Sequence, residues 1–190
     1  MRHLQVPTGL WRWVLLGTLS VLVGCGGCVS LPQQQKSAAL RLEFEHGLCS
    51  GTAVSPNTLK TATHCMVGTM GKLVSVNGAK VQDYAAHSPK GDVIDVVVKG
   101  VVFRSYAPRV GKVVQGDRVH WHGNPLGIAD MYREGYVASV NKDGVFIIAE
   151  SCTGDSGSGV FNERGELVAV VSRIATNFER CSSVMLAEPV

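Results

Sequence analysis

From residue 40 onward the chain is a succession of short segments in which apolar and polar residues alternate. In the first segment, Leu40–Glu45, two Leu and one Phe alternate with Arg and two Glu, which is the pattern of a half-buried β-strand. Gly, Pro or Asn residues interrupt the alternation about every ten residues, and no segment of the body has a convincing helical period. Many short strands at this spacing predict an all-β fold, either a barrel or a sandwich.

The other β-rich segments are 72–78, 95–99, 101–106 and 117–123, and hairpins are centred on 141–144 and 163–165. The chain has 190 residues, of which 45% are apolar and 17% are charged, as expected for a folded chain rather than a disordered one. The net charge is only +3 and no run rich in Lys or Arg occurs. No nucleic-acid partner is therefore predicted.

Residues 1–24 are predicted to be an export signal. Arg2 and Arg12 precede the apolar run 14–23. This run is too short to cross a bilayer as a helix. The run ends in Leu-Val-Gly-Cys, which resembles the bacterial lipobox, whose cysteine is lipidated and becomes the mature N-terminus. We therefore expect lipidation of Cys25 and export to the periplasmic or cell-surface side of a bacterial membrane. An uncleaved membrane anchor is the alternative.

The polar, Gln-rich segment 25–38 is predicted to be a flexible tether between the lipid and the fold. Cys28 within it is a second candidate for lipidation, with a poorer preceding pattern. Export would place the chain in an oxidising compartment, where cysteines form disulfides. The remaining four cysteines permit three pairings. They are Cys49, Cys65, Cys152 and Cys181.

Two short motifs supply a nucleophile and a base. Ser156 lies in the glycine-rich run Cys-Thr-Gly-Asp-Ser-Gly-Ser-Gly, and His64 lies in Thr-Ala-Thr-His-Cys. A serine hydroxyl attacks at neutral pH only when a base takes its proton, and the imidazole needs a carboxylate to fix its tautomer. Asp92 and Asp95 are the candidates. We predict Asp95, because it precedes three consecutive valines that would fix it at the end of a buried strand.

The two motifs resemble the His and Ser motifs of trypsin-like serine peptidases with the chymotrypsin fold. The order His64, Asp95, Ser156 is that of the family, and the likeness covers about residues 46–185. The chain departs from the usual motif at Ser158 and Gly159. The segments around 122–127 and 133–140 also resemble the entry to the second barrel of the high-temperature-requirement proteases.

The resemblance implies two antiparallel six-stranded β-barrels, the first in 39–109 with His64 and Asp95, and a minimal second one in 110–190 with Ser156. It implies a serine endopeptidase that acts on protein or peptide substrates through an acyl-enzyme, without a cofactor or metal. A catalytically silent binding or regulatory lipoprotein of the same fold is the alternative, with its cleft blocked by Ile174.

The resemblance also assigns the cysteines and the oxyanion-binding site. Cys49 and Cys65 occupy the positions of a disulfide beside the catalytic histidine. Cys152 and Cys181 occupy those of a second disulfide at the specificity pocket. The backbone N–H groups of Gly154 and Ser156 are expected to bind the oxyanion of the tetrahedral intermediate.

Three residues are expected to bind substrate: Glu150, Ser172 and Ile174. Glu150 lies six residues before Ser156, where relatives that cleave after Lys or Arg carry an acidic residue. Ile174 could instead narrow the pocket and Arg173 could neutralise Glu150, so the preference for basic residues is left open.

In the family, the aspartate at the position of Asp155 pairs with an N-terminal amine that a cleavage exposes. The family's Ile-Val-Gly-Gly start is missing here, so we expect Arg133 or Arg173 to pair with Asp155 and no activating cleavage to be needed. His120 and His122 lie on one face of a predicted strand, but no third ligand accompanies them at a suitable spacing, so no metal site is predicted.

Overall fold

The computed structural model describes residues 31–87, 89–107, 109–174 and 180–190. The predicted signal segment and the candidate lipidation sites Cys25 and Cys28 lie outside this part of the chain. The described residues contain two short α-helices, α1 (Leu31–Ala38) and α2 (Thr63–Val67). Neither of the helices in the described part is long and apolar enough to span a membrane.

Seven strands form the first unit: β1 Ala39–Phe44, β2 Gly47–Ala53, β3 Thr58–Ala62, β4 Leu73–Val76, β5 Ala79–Lys80, β6 Asp83–Ala86 and β7 Val93–Lys99. Six strands form the second: β8 Arg118–Gly123, β9 Met131–Asn141, β10 Gly144–Cys152, β11 Gly159–Asn162, β12 Leu167–Ile174 and β13 Cys181–Pro189.

The first unit is one sheet in the order β5-β4-β1-β2-β3-β7-β6, with antiparallel pairing throughout. Its core follows from the alternation seen in the sequence, because Leu40, Leu42 and Phe44 of β1 are buried while the residues between them are partly exposed. Leu59 of β3 and Val96 of β7 complete the centre of this core.

The second unit is a closed barrel in the order β10-β13-β12-β11-β8-β9. Its core surrounds the fully buried Trp121 of β8 and is filled by residues from the other strands, such as Ile147 of β10 and Met185 of β13. Strand β12 is buried along its first six residues, because it packs in this barrel and also contacts β3 of the first unit.

The predicted all-β fold of the trypsin-like type is confirmed, with three local differences. The first unit has seven strands, and hydrogen bonds do not close it, because its edge strands β5 and β6 are short and not paired with each other. Segment 101–106 is not a strand. In place of a regular ladder of hydrogen bonds, Phe103 N–H donates to Pro56 O and Ala107 N–H donates to Ala53 O. Helix α1 occupies part of the predicted flexible tether.

The loop that carries Ser156 is held between the two units by backbone hydrogen bonds. Ser50 N–H of β2 donates to Ser156 O at 2.7 Å, and Gly157 N–H donates to Val171 O of β12 at 2.8 Å. Gly157 has φ +90, and a Cβ there would collide with the backbone oxygen of Ser50. A glycine is therefore required where the two units meet.

We expect Gly157→Ala to lower the free energy of unfolding by at least about 3 kcal/mol, because it combines left-handed backbone strain with a backbone collision. Gly78→Ala is the matched control, since Gly78 has φ +76 but no atom within 4 Å of the added Cβ, and should cost about 1–2 kcal/mol. Urea unfolding monitored by fluorescence measures both. Equal losses would contradict the proposed collision.

Candidate active site

His64 is placed by a strand end and a disulfide. It lies in α2, which starts directly after β3, and its neighbour Cys65 is buried and bonded to Cys49 of β2. The buried cysteine holds one side of α2 against the sheet, so the His64 side chain is directed outward and is exposed. The geometry of β2, β3 and the disulfide thus fixes where the imidazole stands.

Asp92 is the carboxylate that contacts His64. Its Oδ2 lies 2.9 Å from Nδ1 of the ring, and its Oδ1 accepts the backbone N–H of His64 at 3.0 Å. The Ser172 hydroxyl of β12 donates to the same Oδ2 at 2.5 Å. Three hydrogen bonds therefore hold a carboxyl that is 21% exposed.

These hydrogen bonds keep Asp92 ionised. Burial of the carboxyl by itself would raise its pKa, but hydrogen bonds from the His64 ring, the Ser172 hydroxyl and the His64 backbone N–H outweigh burial, and the pKa of Asp92 is lowered. An ionised carboxylate accepts the Nδ1 proton, which leaves Nε2 of the neutral ring free to accept another proton.

The prediction of Asp95 as this carboxylate is wrong. Its Oδ1 lies 2.8 Å from Nζ of Lys60 and its side chain is 41% exposed. The pairing of β3 with β7 places Lys60 opposite Asp95, on the face of the strand that carries the partly exposed residues. β7 begins at Val93, earlier than expected, so the strand end that faces α2 carries Asp92, whose carbonyl accepts Thr63 N–H.

Ser156 lies in the turn between β10 and β11. Its hydroxyl donates to Ser172 O at 3.4 Å and is not hydrogen-bonded to the His64 ring in this conformation. Both side chains border one cavity of about 440 Å³, which we call the Ser156 cavity. Its lining consists of His64, Ser151, Cys152, Thr153, Ser156, Val171, Ser172, Arg173 and Ile174.

Gly154 has the backbone conformation that a glycine allows. Its φ is +102, and a Cβ would collide with the backbone oxygen of Asn124. A left-handed glycine two residues before the nucleophile is what the expected oxyanion site needs, because a side chain there would displace the loop.

Asp155 is completely buried and faces Arg133, one of its two expected partners. Arg133 Nε lies 3.4 Å from Asp155 Oδ2, as an ion pair without hydrogen-bond alignment. Arg173, the other expected partner, lies 4.0 Å from Glu188 instead. Burial raises the pKa of the Asp155 carboxyl, and the Cys152 N–H and the charge of Arg133 oppose that rise only in part.

Glu150 is not among the residues that line the Ser156 cavity. Its side chain is 69% exposed, and its Oε1 lies 3.7 Å from Nη1 of Arg133. The residue expected to neutralise it, Arg173, lines the cavity itself, as do Ser172 and Ile174. Ser172 has a contact that the sequence did not suggest, since its hydroxyl binds the carboxylate of Asp92.

The two disulfides are those expected from the resemblance. Cys49 is bonded to Cys65, 16 residues away, and Cys152 to Cys181, 29 residues away. The second bridge joins the start of the Ser156 loop to β13, so each bridge fixes one of the segments that carry the reactive side chains.

His120 and His122 are engaged with other side chains of the described residues. His120 Nε2 lies 2.7 Å from Oε1 of Gln35 in α1, and His122 Nδ1 lies 3.0 Å from Oδ1 of Asp130. Burial lowers the pKa of His120, which keeps that ring neutral. Both histidines therefore connect β8 to its neighbours.

Sequence reasoning considered Asp92 but preferred Asp95, and it missed the buried polar pair Ser50 and Asn124. The hydroxyl of Ser50 donates to Gly154 O at 2.8 Å and accepts from the Asn124 side chain at 2.8 Å. No sequence signal marked either residue, because the contact joins segments 74 residues apart.

Comparison with known proteins gives a family and a fold. The trypsin-like peptidase domain matches residues 49–170, which contain His64, Asp92 and Ser156. A search of curated proteins finds no significant match.

Solved structures share the fold at low identity. A mutant of Rv3671c from Mycobacterium tuberculosis H37Rv, solved in its inactive form, is 16% identical, with a TM-score of 0.65 over 83% of this chain and 84% of that one. The HtrA-type protease AlgW, solved with a tripeptide, is 18% identical, with a TM-score of 0.65 over 84% of this chain and 58% of AlgW. The chain thus spans a little over half of AlgW. The matched domain shows that the chain belongs to the trypsin-like peptidase family, and the solved structures share its fold.

Proposed function

We propose that the protein hydrolyses peptide bonds with Ser156 as nucleophile, His64 as general base and then general acid, and Asp92 as the carboxylate that orients His64. The observation that carries this proposal is the position of Asp92, whose two oxygens bind the ring and the backbone N–H of the same histidine. That arrangement fixes the tautomer in which Nε2 is free to accept a proton.

The reaction proceeds in two similar halves. Ser156 Oγ attacks the substrate carbonyl as His64 Nε2 takes its proton, and the imidazolium that forms is stabilised by Asp92. His64 then protonates the leaving amine, which departs and leaves an acyl-serine. Water, deprotonated by His64, attacks the ester and releases the acid. A turn of the Ser156 hydroxyl from Ser172 O toward His64 precedes the first attack, since both groups face one cavity.

A catalytically silent member of the family is the second candidate. The observation that favours it is the hydroxyl of Ser156, which in this conformation bonds to Ser172 O rather than to His64. Ile174 also lies at the cavity, where it could restrict entry.

A fluorophosphonate probe should label the wild-type protein and not Ser156→Ala, which should also lose about a millionfold in turnover. We expect labelling without prior cleavage, because Arg133 already faces the buried carboxylate of Asp155. Gel fluorescence and intact mass measure both. No labelling of a folded sample would favour the silent candidate, and labelling only after a cut upstream of Leu40 would refute activation without cleavage.

Asp92→Asn should lower kcat by about 10⁴-fold, because an amide in place of the carboxylate favours the wrong ring tautomer. Asp95→Asn is the matched control. It removes a carboxylate three residues away that binds Lys60 and not His64, so kcat should stay within about threefold, since exposed ion pairs contribute little. Steady-state hydrolysis of a peptide substrate measures both. A larger loss in Asp95→Asn than in Asp92→Asn would restore Asp95 to the triad.

We further propose a modest preference for Lys or Arg before the cut, with Glu150 as its source. The preference is modest because Glu150 is exposed and its charge is partly neutralised by Arg133. Glu150→Gln should lower kcat/KM for Lys and Arg substrates by up to about fivefold, which corresponds to the roughly 1 kcal/mol of an exposed ion pair. A fluorogenic panel with Lys, Arg and Ala at that position measures it. Equal kcat/KM for all three in the wild type would exclude the preference.

We propose that the protein is exported and held at a bacterial membrane by a lipid on Cys25. Two disulfides suit an oxidising compartment, and the segment before Cys25 has the pattern of a lipoprotein signal. Mass spectrometry of the mature N-terminus should find a diacylglyceryl group on Cys25. Cys25→Ser should release the protein from membranes, whereas the control Cys28→Ser should not. A mature N-terminus other than Cys25 would contradict the proposal.

A further inference from the structure

Ser50 is a buried hydroxyl that no step of the proposed reaction uses. It lies on β2 of the first unit, immediately after Cys49, and is completely inaccessible to solvent. Its Oγ donates to Gly154 O at 2.8 Å and accepts from Asn124 twice, from the backbone N–H at 3.1 Å and from Nδ2 at 2.8 Å. One donation and two acceptances use the whole capacity of a hydroxyl.

Two peptide groups meet at the α-carbon of Gly154, and the bond from Ser50 fixes the one that joins Gly154 to Asp155. The carbonyl of Gly154 is held by Ser50. The other peptide group joins Thr153 to Gly154, and its carbonyl accepts Leu126 N–H at 2.7 Å. Because a trans peptide is planar, with C=O and N–H pointing in opposite directions, the Gly154 N–H points away from Leu126. Rotation of this peptide group would break the bond from Leu126.

The turn that supplies the Leu126 N–H is itself tied to the first unit. Leu126 lies in the short turn Pro125–Gly127 with a strained φ of +54. Asn124 precedes this turn and is nearly completely buried. Its Nδ2 donates to Leu40 O of β1 at 3.2 Å as well as to Ser50. Asn124 therefore connects the strained turn to both β1 and β2.

We infer that Ser50 and Asn124 are positioning residues that hold the Gly154 N–H in the orientation needed to bind an oxyanion before substrate arrives. Ser50 fixes the carbonyl that follows this N–H, and Asn124 fixes the turn that binds the carbonyl preceding it. The inference rests on the proposed peptidase function, and it names residues that act through Gly154 and touch no reacting atom.

Thr52 offers a matched control on the same strand. It is buried like Ser50, and its Oγ1 accepts Gly159 N–H at 2.7 Å. This bond also joins β2 to the segment that carries the nucleophile, but at the start of β11, on the far side of Ser156. Thr52→Val keeps the shape of the side chain and removes a bond between the units without touching the Gly154 peptide groups.

Ser50→Ala should lower kcat by about 10²-fold, the order expected for loss of one oxyanion donor, with KM within about threefold. Affinity for a peptide boronic acid, which mimics the tetrahedral intermediate, should fall by the same factor as kcat/KM, while affinity for the product peptide stays within about threefold. Thr52→Val should leave all three quantities within about threefold, although both variants should unfold at a lower temperature.

Equal effects of Ser50→Ala and Thr52→Val on kcat, or equal losses of boronic acid and product affinity, would overturn the inference. Should Ser50→Ala fail to fold, Asn124→Ala tests the same contact, since it keeps the backbone donor and should give a smaller loss of kcat in the same direction. A wild-type protein that hydrolyses no peptide overturns the proposed function and this inference together. Wild-type turnover with unaffected Ser50→Ala and Asn124→Ala overturns the inference alone.

Discussion

The carboxylate of Asp92 is the group on which the rest of the site depends, because it binds both halves of the molecule. Its contacts to His64 lie within the first unit, whereas the Ser172 hydroxyl comes from β12 of the second. Ser172 also supplies the carbonyl that holds the Ser156 hydroxyl. A movement between the two units would therefore disturb the orientation of the base and of the nucleophile at the same time.

A second charged group shows how the loop around the nucleophile is stabilised from within. Asp155 is buried and its pKa is raised by that burial, so an ionised carboxylate at this position costs free energy unless a cation is near. Arg133 provides the cation from β9 of the same barrel. The same guanidinium faces Glu150, so one residue balances both acidic groups that flank the Cys152 disulfide.

Much of the fold could be predicted from local patterns, since strand alternation and turn residues are read within short segments. The β1 strand and the hairpins of the second barrel followed in this way, whereas the pairing of the cysteines followed from the resemblance to the family. The site was predicted less well, because it depends on where a strand begins. Asp92 and Asp95 are both near the start of β7, and only the pairing of β3 with β7 decides which one faces α2. The buried contact of Ser50 with Asn124 has no local signal at all, because it arises only when the two units meet.

The docking of helix α1 has a consequence for where the enzyme can act. Gln35 bonds to His120 and Lys36 lies 2.8 Å from Asp130, so α1 is attached to the second barrel rather than extending away from it. With a lipid on Cys25, only the six residue steps from there to Leu31 would separate the bilayer from the folded body, at most about 20 Å when fully extended. Such a tether would keep the folded body, and with it the Ser156 cavity, close to the membrane surface.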